Sequence, residues 1–299
     1  MRKIGKYLLK GLMRLLGHLP LRVHYAVFSP FLAFLAERVI CYRTDDVAVN
    51  LARAFPDYKY GRIREIKHAF YRHFADLLVE TVWFGASSVK RLQRQGICTI
   101  ANPDVLRELF DAAPSVVVMY SHTGNWELFG GLPHYDGTTG LREDNFCAVY
   151  KQLSSRLWDE LMAENRCRPL REGTFTGYLE SRALLRYAIT HKAEKKIYNI
   201  NTDQRPYGFA MNEMEVTFMH QRCRTMLGAA TLARKFGFAV AYLNMKPVSR
   251  GHYVFEYTAI CRDASQMSAE EIMTTYYRLL EKDLEAMPEN YLWTHRRWK

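Results

Sequence analysis

The chain has 299 residues, a formal charge of +11 from 42 Lys+Arg against 31 Asp+Glu, and 48% hydrophobic residues. That composition suits a folded protein with a sizeable core and excludes general disorder. The six cysteines lie far apart with no C-x-x-C pair. A disulfide scaffold and a zinc site of common spacing are thereby excluded, and reduced thiols are expected. No run of 18 uncharged apolar residues occurs, which excludes a polytopic membrane protein.

The positive charge begins at once. Arg2, Lys3, Lys6, Lys10, Arg14 and Arg22 precede the first acidic residue, Glu37. On a helix, Lys3, Lys6, Lys10 and Arg14 share one face, and Ile4, Leu8, Leu12, Leu15 and Leu16 the other. Leu19-Pro20 breaks that helix, and Val23 to Ala36 follows without formal charge, too short for the roughly 20 residues of a spanning helix. A cleaved secretory signal fits poorly, since basic residues recur to Arg22 and no A-x-A site follows. A helix merely packed on the core is the bland alternative. The pattern favours an uncleaved anchor on an anionic membrane surface, with the rest of the protein on the cytoplasmic side. Residues 1–42 are therefore read as anchoring helices and 43–299 as one main domain.

Residues 43–55 and 60–84 read as helices, the first stopped by Phe55-Pro56. Ser115 to Tyr120 is a continuous apolar run, as expected of a buried parallel strand. A helix from about Asn125 follows. Phe146 to Tyr150 reads as a strand, Ser154 to Asn165 as a helix, and Lys196 to Asn201 as a strand. Thr225 to Phe236 reads as a helix, Phe238 to Asn244 as a strand, His252 to Tyr257 as an outer strand, and Ala269 to Met287 as a terminal helix. This alternation implies an α/β fold with a mostly parallel central sheet flanked by helices. Ligands in such folds sit beyond the carboxyl ends of the strands.

The first core strand runs straight into His122-Thr123-Gly124-Asn125-Trp126-Glu127. A carboxylate five positions after a histidine, across a tight turn, can fix the imidazole tautomer and free the other nitrogen to take a proton from an alcohol or amine. No G-x-S-x-G elbow, P-loop or G-x-G-x-x-G accompanies it, so nucleophilic serine and nucleotide chemistry have no foothold. No nucleic-acid motif accompanies the basic charge either.

SHTGNWE resembles the H-x4-D/E signature of the lysophospholipid acyltransferase superfamily, and the chain more specifically resembles the late acyltransferases of lipid A synthesis, the lauroyl and myristoyl transferases. Further matching elements are Asn50-Leu51 with Ala54-Phe55-Pro56, for N-L-x-x-x-F-P; Val149-Tyr150 with Arg166; and Thr202-Asp203-Gln204, for D-Q. The ending from Pro288 to Lys299 matches P-E-x-Y-x-W-x-H-R-R-[FW]-K. The resemblance thus spans nearly the whole chain.

It implies transfer of a fatty acyl chain from acyl carrier protein to a hydroxyl of a lipid A precursor, at the cytoplasmic face of the inner membrane, without metal or cofactor. A lysophospholipid or aminolipid acceptor is the close rival, and a non-catalytic lipid-binding protein the distant one. His122 is then the general base and Glu127 its orienting carboxylate. Arg166, in a basic cluster with Arg168 and Arg171, binds a phosphate of the acceptor or of the donor's phosphopantetheine, or else stabilises the oxyanion. Asp203 anchors Arg166 or the acceptor sugar, unless its pairing is structural, and Gln204 is a weaker candidate. The terminal HRRWK reads equally as an interfacial patch or as a lock on the last helix.

Overall fold

The computed structural model describes residues 2–135, 140–170, 177–206 and 213–298. The side chains of Lys3, Ile4 and Lys6, together with Arg171 and Lys299, lie outside the described set.

The strands are β1 (Cys98–Ile100), β2 (Val116–Tyr120), β3 (Phe146–Tyr150), β4 (Tyr178–Glu180), β5 (Ile197–Asn201), β6 (Glu213–Phe218), β7 (Gln221–Met226), β8 (Ala239–Ser249) and β9 (His252–Cys261). Seven form the central sheet in the order β1-β9-β8-β2-β5-β3-β4. All neighbours in it are parallel except β8 and β9. The expected mostly parallel α/β architecture is therefore present.

Strand β2 is buried along its whole length, which is why it reads as an unbroken apolar run. Its alternate side chains feed two cores, as the two-residue period demands. Val117 and Met119 join the core shared with the helices Tyr60–Phe84 and Ala269–Ala286. Val116 and Val118 face Leu106 and Leu109 of the helix Pro103–Ala112 on the other side.

Two expectations about elements need correction. His252 to Tyr257 is not an outer strand: β9 is second from the edge, covered by β1. Three residues of strand are too few to show a period, so β1 left no trace in the sequence. Thr225 does not open a helix but lies in β7, and the helix is Gly228–Phe236. In β7, Cys223 and Thr225 are buried between exposed Arg222 and Arg224, an alternation that signals a strand. Met219 and His220, both at positive φ, make the two-residue turn joining it to β6.

The chain's two ends are built differently. The helix Arg2–Gly17 is followed, after a bend of 103° at Pro20, by the helical stretch Leu21–Val39. Arg91 fixes the bend by donating to the carbonyls of Gly17 at 2.8 Å and Leu19 at 2.9 Å, which have no partner at a helix end otherwise. Lys10 pairs with Glu164 on the protein side, while Leu8 and Leu15, each 69% exposed, point outward with Leu12, Phe31 and Phe34. Among the described residues no single helix is long and apolar enough to cross a membrane; the bent pair Tyr7–Gly17 and Leu21–Val39 passes by length and composition together.

The C-terminal segment goes inward instead. Trp293 and Arg297 have no exposed surface. The Trp293 indole donates to the Pro288 carbonyl at 2.6 Å, and Arg297 donates to the Arg224 carbonyl at 2.6 Å and the Tyr277 hydroxyl at 2.8 Å. Asn50 donates to the carbonyls of Trp293 and His295 at 2.8 and 3.0 Å. Two sequence elements separated by most of the chain thus meet as one packed unit. Of the two readings of HRRWK, the lock is the one this packing matches.

Candidate active site

Strand register builds the centre. Tyr120 of β2 pairs with Asn201 of β5, so the residues two beyond each, His122 and Asp203, emerge side by side at the carboxyl ends of parallel strands. The His122 Nδ1 lies 2.8 Å from Asp203 Oδ1, and the His122 backbone N–H donates to Asp203 Oδ2 at 3.2 Å. Asp203 is buried. Burial pushes its carboxyl up, but the charge of His122 and the two hydrogen bonds outweigh this and hold it below the usual carboxylate range. The paired Nδ1 leaves Nε2 facing the side-chain amides of Gln204 at 3.0 Å and Asn201 at 3.2 Å. Trp126 meets the imidazole edge-on, with ring centres 4.9 Å apart.

The histidine's backbone is clamped from behind by the C-terminal segment. Leu292 donates its N–H to the His122 carbonyl at 3.1 Å, and Gly124 donates its own to Asn290 Oδ1 at 2.8 Å. Asn290 in turn donates to the Met245 carbonyl at 3.2 Å. Gly124 sits at φ +59°, and a Cβ there would lie 2.5 Å from that same carbonyl. Glycine is required on both counts.

Glu127 has a different partner from the one expected. Asn125 caps the 3-10 turn Trp126–Gly131, accepting the Glu127 N–H at 3.1 Å, and donates to buried Glu80 at 2.8 Å. The tight turn aims the Glu127 carboxylate at Arg166, which ends the helix Arg156–Arg166. Arg166 grips it through Nε and Nη2, both at 2.6 Å, and donates from Nη1 to the Tyr178 hydroxyl at 2.8 Å. Burial works against the guanidinium's charge, but Glu127 outweighs it and keeps Arg166 more firmly protonated than usual. The single His122–Glu127 dyad expected from H-x4-E is thus replaced by two pairs, His122–Asp203 and Glu127–Arg166. Asp203 anchors His122, not Arg166. Arg168 falls in a separate small groove with Lys10 and Arg14.

Both pairs border one cavity of about 1160 Å³, at the carboxyl ends of β2, β3, β4 and β5. His122, Glu127, Arg166 and Gln204 line it, as do Phe129, Tyr150 and Tyr178. Asp203 does not. The two tyrosines stack, their ring centres 4.0 Å apart, and burial pushes the Tyr178 hydroxyl up to about 12 despite Arg166 beside it. Lys151, Arg156 and Arg182 line it as well, matched in number by Asp159, Glu160 and Glu180. Among the described residues, no group of three or more His, Cys, Asp or Glu side chains is arranged to hold a metal ion.

Several contributors carry no signal of their own in the sequence. Asn125 and Asn290 occupy the open positions of the very elements that were matched. Asn201 ends the strand that delivers Asp203, and Glu80 lies mid-helix with no local signal.

An imidazole backed by a buried carboxylate, at the carboxyl ends of parallel strands and beside a long cavity, defines an α/β protein equipped for general-base chemistry. The family model for bacterial lipid A biosynthesis acyltransferases matches residues 1–299, and the chain belongs to that family. It is thus an acyltransferase of lipid A and lipopolysaccharide biosynthesis. No curated protein matches the chain.

Proposed function

We propose that the protein transfers a fatty acyl chain from the thioester of acyl carrier protein to a hydroxyl of a lipid A precursor at the cytoplasmic face of the inner membrane. The observation that carries this reading is the His122–Asp203 pair opening into the large cavity. Asp203 holds the proton on Nδ1, so Nε2 takes the proton of the acceptor hydroxyl as its oxygen attacks the thioester carbonyl. The imidazolium, stabilised by the buried carboxylate, then returns the proton to the leaving sulfur.

Glu127 serves Arg166. It fixes the guanidinium plane at the cavity wall and consumes three of its N–H donors together with Tyr178. Of the five that a guanidinium carries, about two remain for a phosphate oxygen of either substrate. The outward leucines and phenylalanines of residues 8–34 suit the acyl boundary of an anionic bilayer. The charge of +11 suits an acidic carrier protein.

The test is turnover of acyl carrier thioester and lipid A precursor by His122→Ala, with mass spectrometry of lipid A from a strain carrying only that variant. The expected result is a loss of about 10²–10⁴-fold and lipid A one acyl chain short. Full acylation by His122→Ala contradicts the proposal.

A further inference from the structure

We infer that the side-chain amides of Asn201 and Gln204 form the oxyanion-stabilising site of this enzyme; the inference rests on the reading of His122 as the base. In transfer from a thioester, the acceptor oxygen gives its proton to His122 Nε2 while forming the C–O bond. The carbonyl π electrons move onto oxygen. When that oxyanion collapses the C–S bond breaks, and the imidazolium proton passes to sulfur. The anion therefore develops within about one reacting contact, roughly 3–3.5 Å, of the acceptor oxygen that Nε2 touches. Donors must already stand there, since preorganisation is what makes them effective.

Three backbone N–H groups near His122 are already engaged. Its own backbone N–H is held by Asp203, that of Gly124 by Asn290 and that of Glu127 by Asn125. Arg166, the other candidate, has its charge neutralised by a bidentate carboxylate. The amide pair faces the reacting nitrogen directly, its nitrogens 3.0 and 3.2 Å from Nε2. Both residues line the cavity. They follow from one feature of the chain: β5 ends at Asn201, and the turn after it places Asp203 behind the imidazole and Gln204 in front. A substrate hydroxyl entering at Nε2 displaces the two amides by about the width of one atom, leaving their N–H groups aimed at the adjoining carbonyl oxygen.

Gln204→Met and Asn201→Leu remove the donors and keep the approximate shape. Turnover is to be measured with acyl carrier thioester and lipid A precursor, alongside thermal melting and His122→Ala as a control. Each variant is expected to lose roughly 10²-fold in kcat, as removal of an oxyanion donor does, with KM for both substrates within a few-fold of wild type. A kcat within about threefold of wild type overturns the assignment, and so does a loss confined to the KM of the acceptor. Should a variant melt early, Gln204→Glu decides. Its carboxylate is the same size but donates no hydrogen bond once ionised, so kcat is expected to fall as pH rises through the carboxyl's titration. A pH profile parallel to wild type overturns the assignment. Inactive His122→Ala beside fully active amide variants removes only this inference, whereas fully active His122→Ala removes the proposed function itself.

Discussion

The two ends of this chain carry the same kind of residue and put it to opposite uses. Both are basic, and both mix cations with large apolar side chains. At the N-terminus the leucines stay outside, at 69% exposure for Leu8 and Leu15, and a lysine turns inward to Glu164. At the C-terminus the tryptophan and an arginine are fully enclosed, and the segment they anchor holds the backbone of His122 and Gly124. Composition alone does not distinguish a surface for a membrane from a brace for an active site; the available partners do. The helix Arg2–Gly17 leaves Leu8, Leu12 and Leu15 uncovered. The segment after the last core helix packs against that helix at Tyr277, against β6 and β7 at Phe218 and Arg224, and against Asn50.

The largest effect is expected where the brace is cut. Trp293→Ala removes a fully buried indole and should cost about 3–5 kcal/mol of stability, read as a lower midpoint in urea, with activity falling alongside. A midpoint close to wild type would place the segment outside the core. The converse variant, Leu8→Glu with Leu12→Glu and Leu15→Glu, should leave that midpoint unchanged. It should instead weaken partition onto anionic vesicles by tenfold or more, since a fully buried leucine contributes about 1.5–3 kcal/mol. Unaltered vesicle binding would transfer the anchoring role to Val27, Phe31 and Phe34.

Asn290→Ala is a gentler cut in the brace. It strands the buried Gly124 N–H and the Met245 carbonyl, at a cost of about 1–3 kcal/mol, and should lower kcat more than it raises either KM. Equal stability and unchanged kcat would show that Leu292 alone holds the loop.

The smallest effect concerns the point where the two regions come closest in chemistry. Tyr25, from the outward-facing N-terminal stretch, donates to Glu80 at 2.6 Å, and Glu80 also accepts from Asn125 of the catalytic loop. Burial raises the Glu80 carboxyl from its ordinary 4.5 to about 7. The native state therefore keeps a proton that the unfolded chain has lost, and this group's contribution to stability falls as pH rises from 4.5 to 7. Glu80→Gln should flatten that part of the profile, seen as a difference between the two melting curves that changes only within this window. Parallel profiles would mean that Glu80 is ionised throughout.

Much of the fold was legible because its signals are local. The apolar run of β2, the helix Tyr60–Phe84 and the alternation of strands with helices follow from period and length. The three-residue β1 and β4, and the burial of Trp293 and Arg297, do not, since each depends on what lies beside it. The site shows the same division. His122 was legible from its place after the most apolar strand. Its carboxylate was not, because the H-x4-E spacing offers Glu127 as the near neighbour along the chain. The choice of Asp203 instead rests on the pairing of Tyr120 with Asn201, a register between strands about eighty residues apart. Asp203 itself is legible only as part of a matched element, which leaves its partner open among Arg166, an acceptor sugar and a structural pairing.

Asp203→Asn tests the pairing of His122 with Asp203 most directly. The amide keeps the volume and can still accept the His122 backbone N–H, but it removes the charge that orients the imidazole and stabilises the imidazolium. Measured at saturating acyl carrier thioester and lipid A precursor, kcat should fall by about 10²–10⁴-fold in a variant whose melting and substrate KM values stay near wild type. A folded Asp203→Asn enzyme that turns over within about threefold of wild type would remove Asp203 from the catalytic pair and return the orienting role to Glu127.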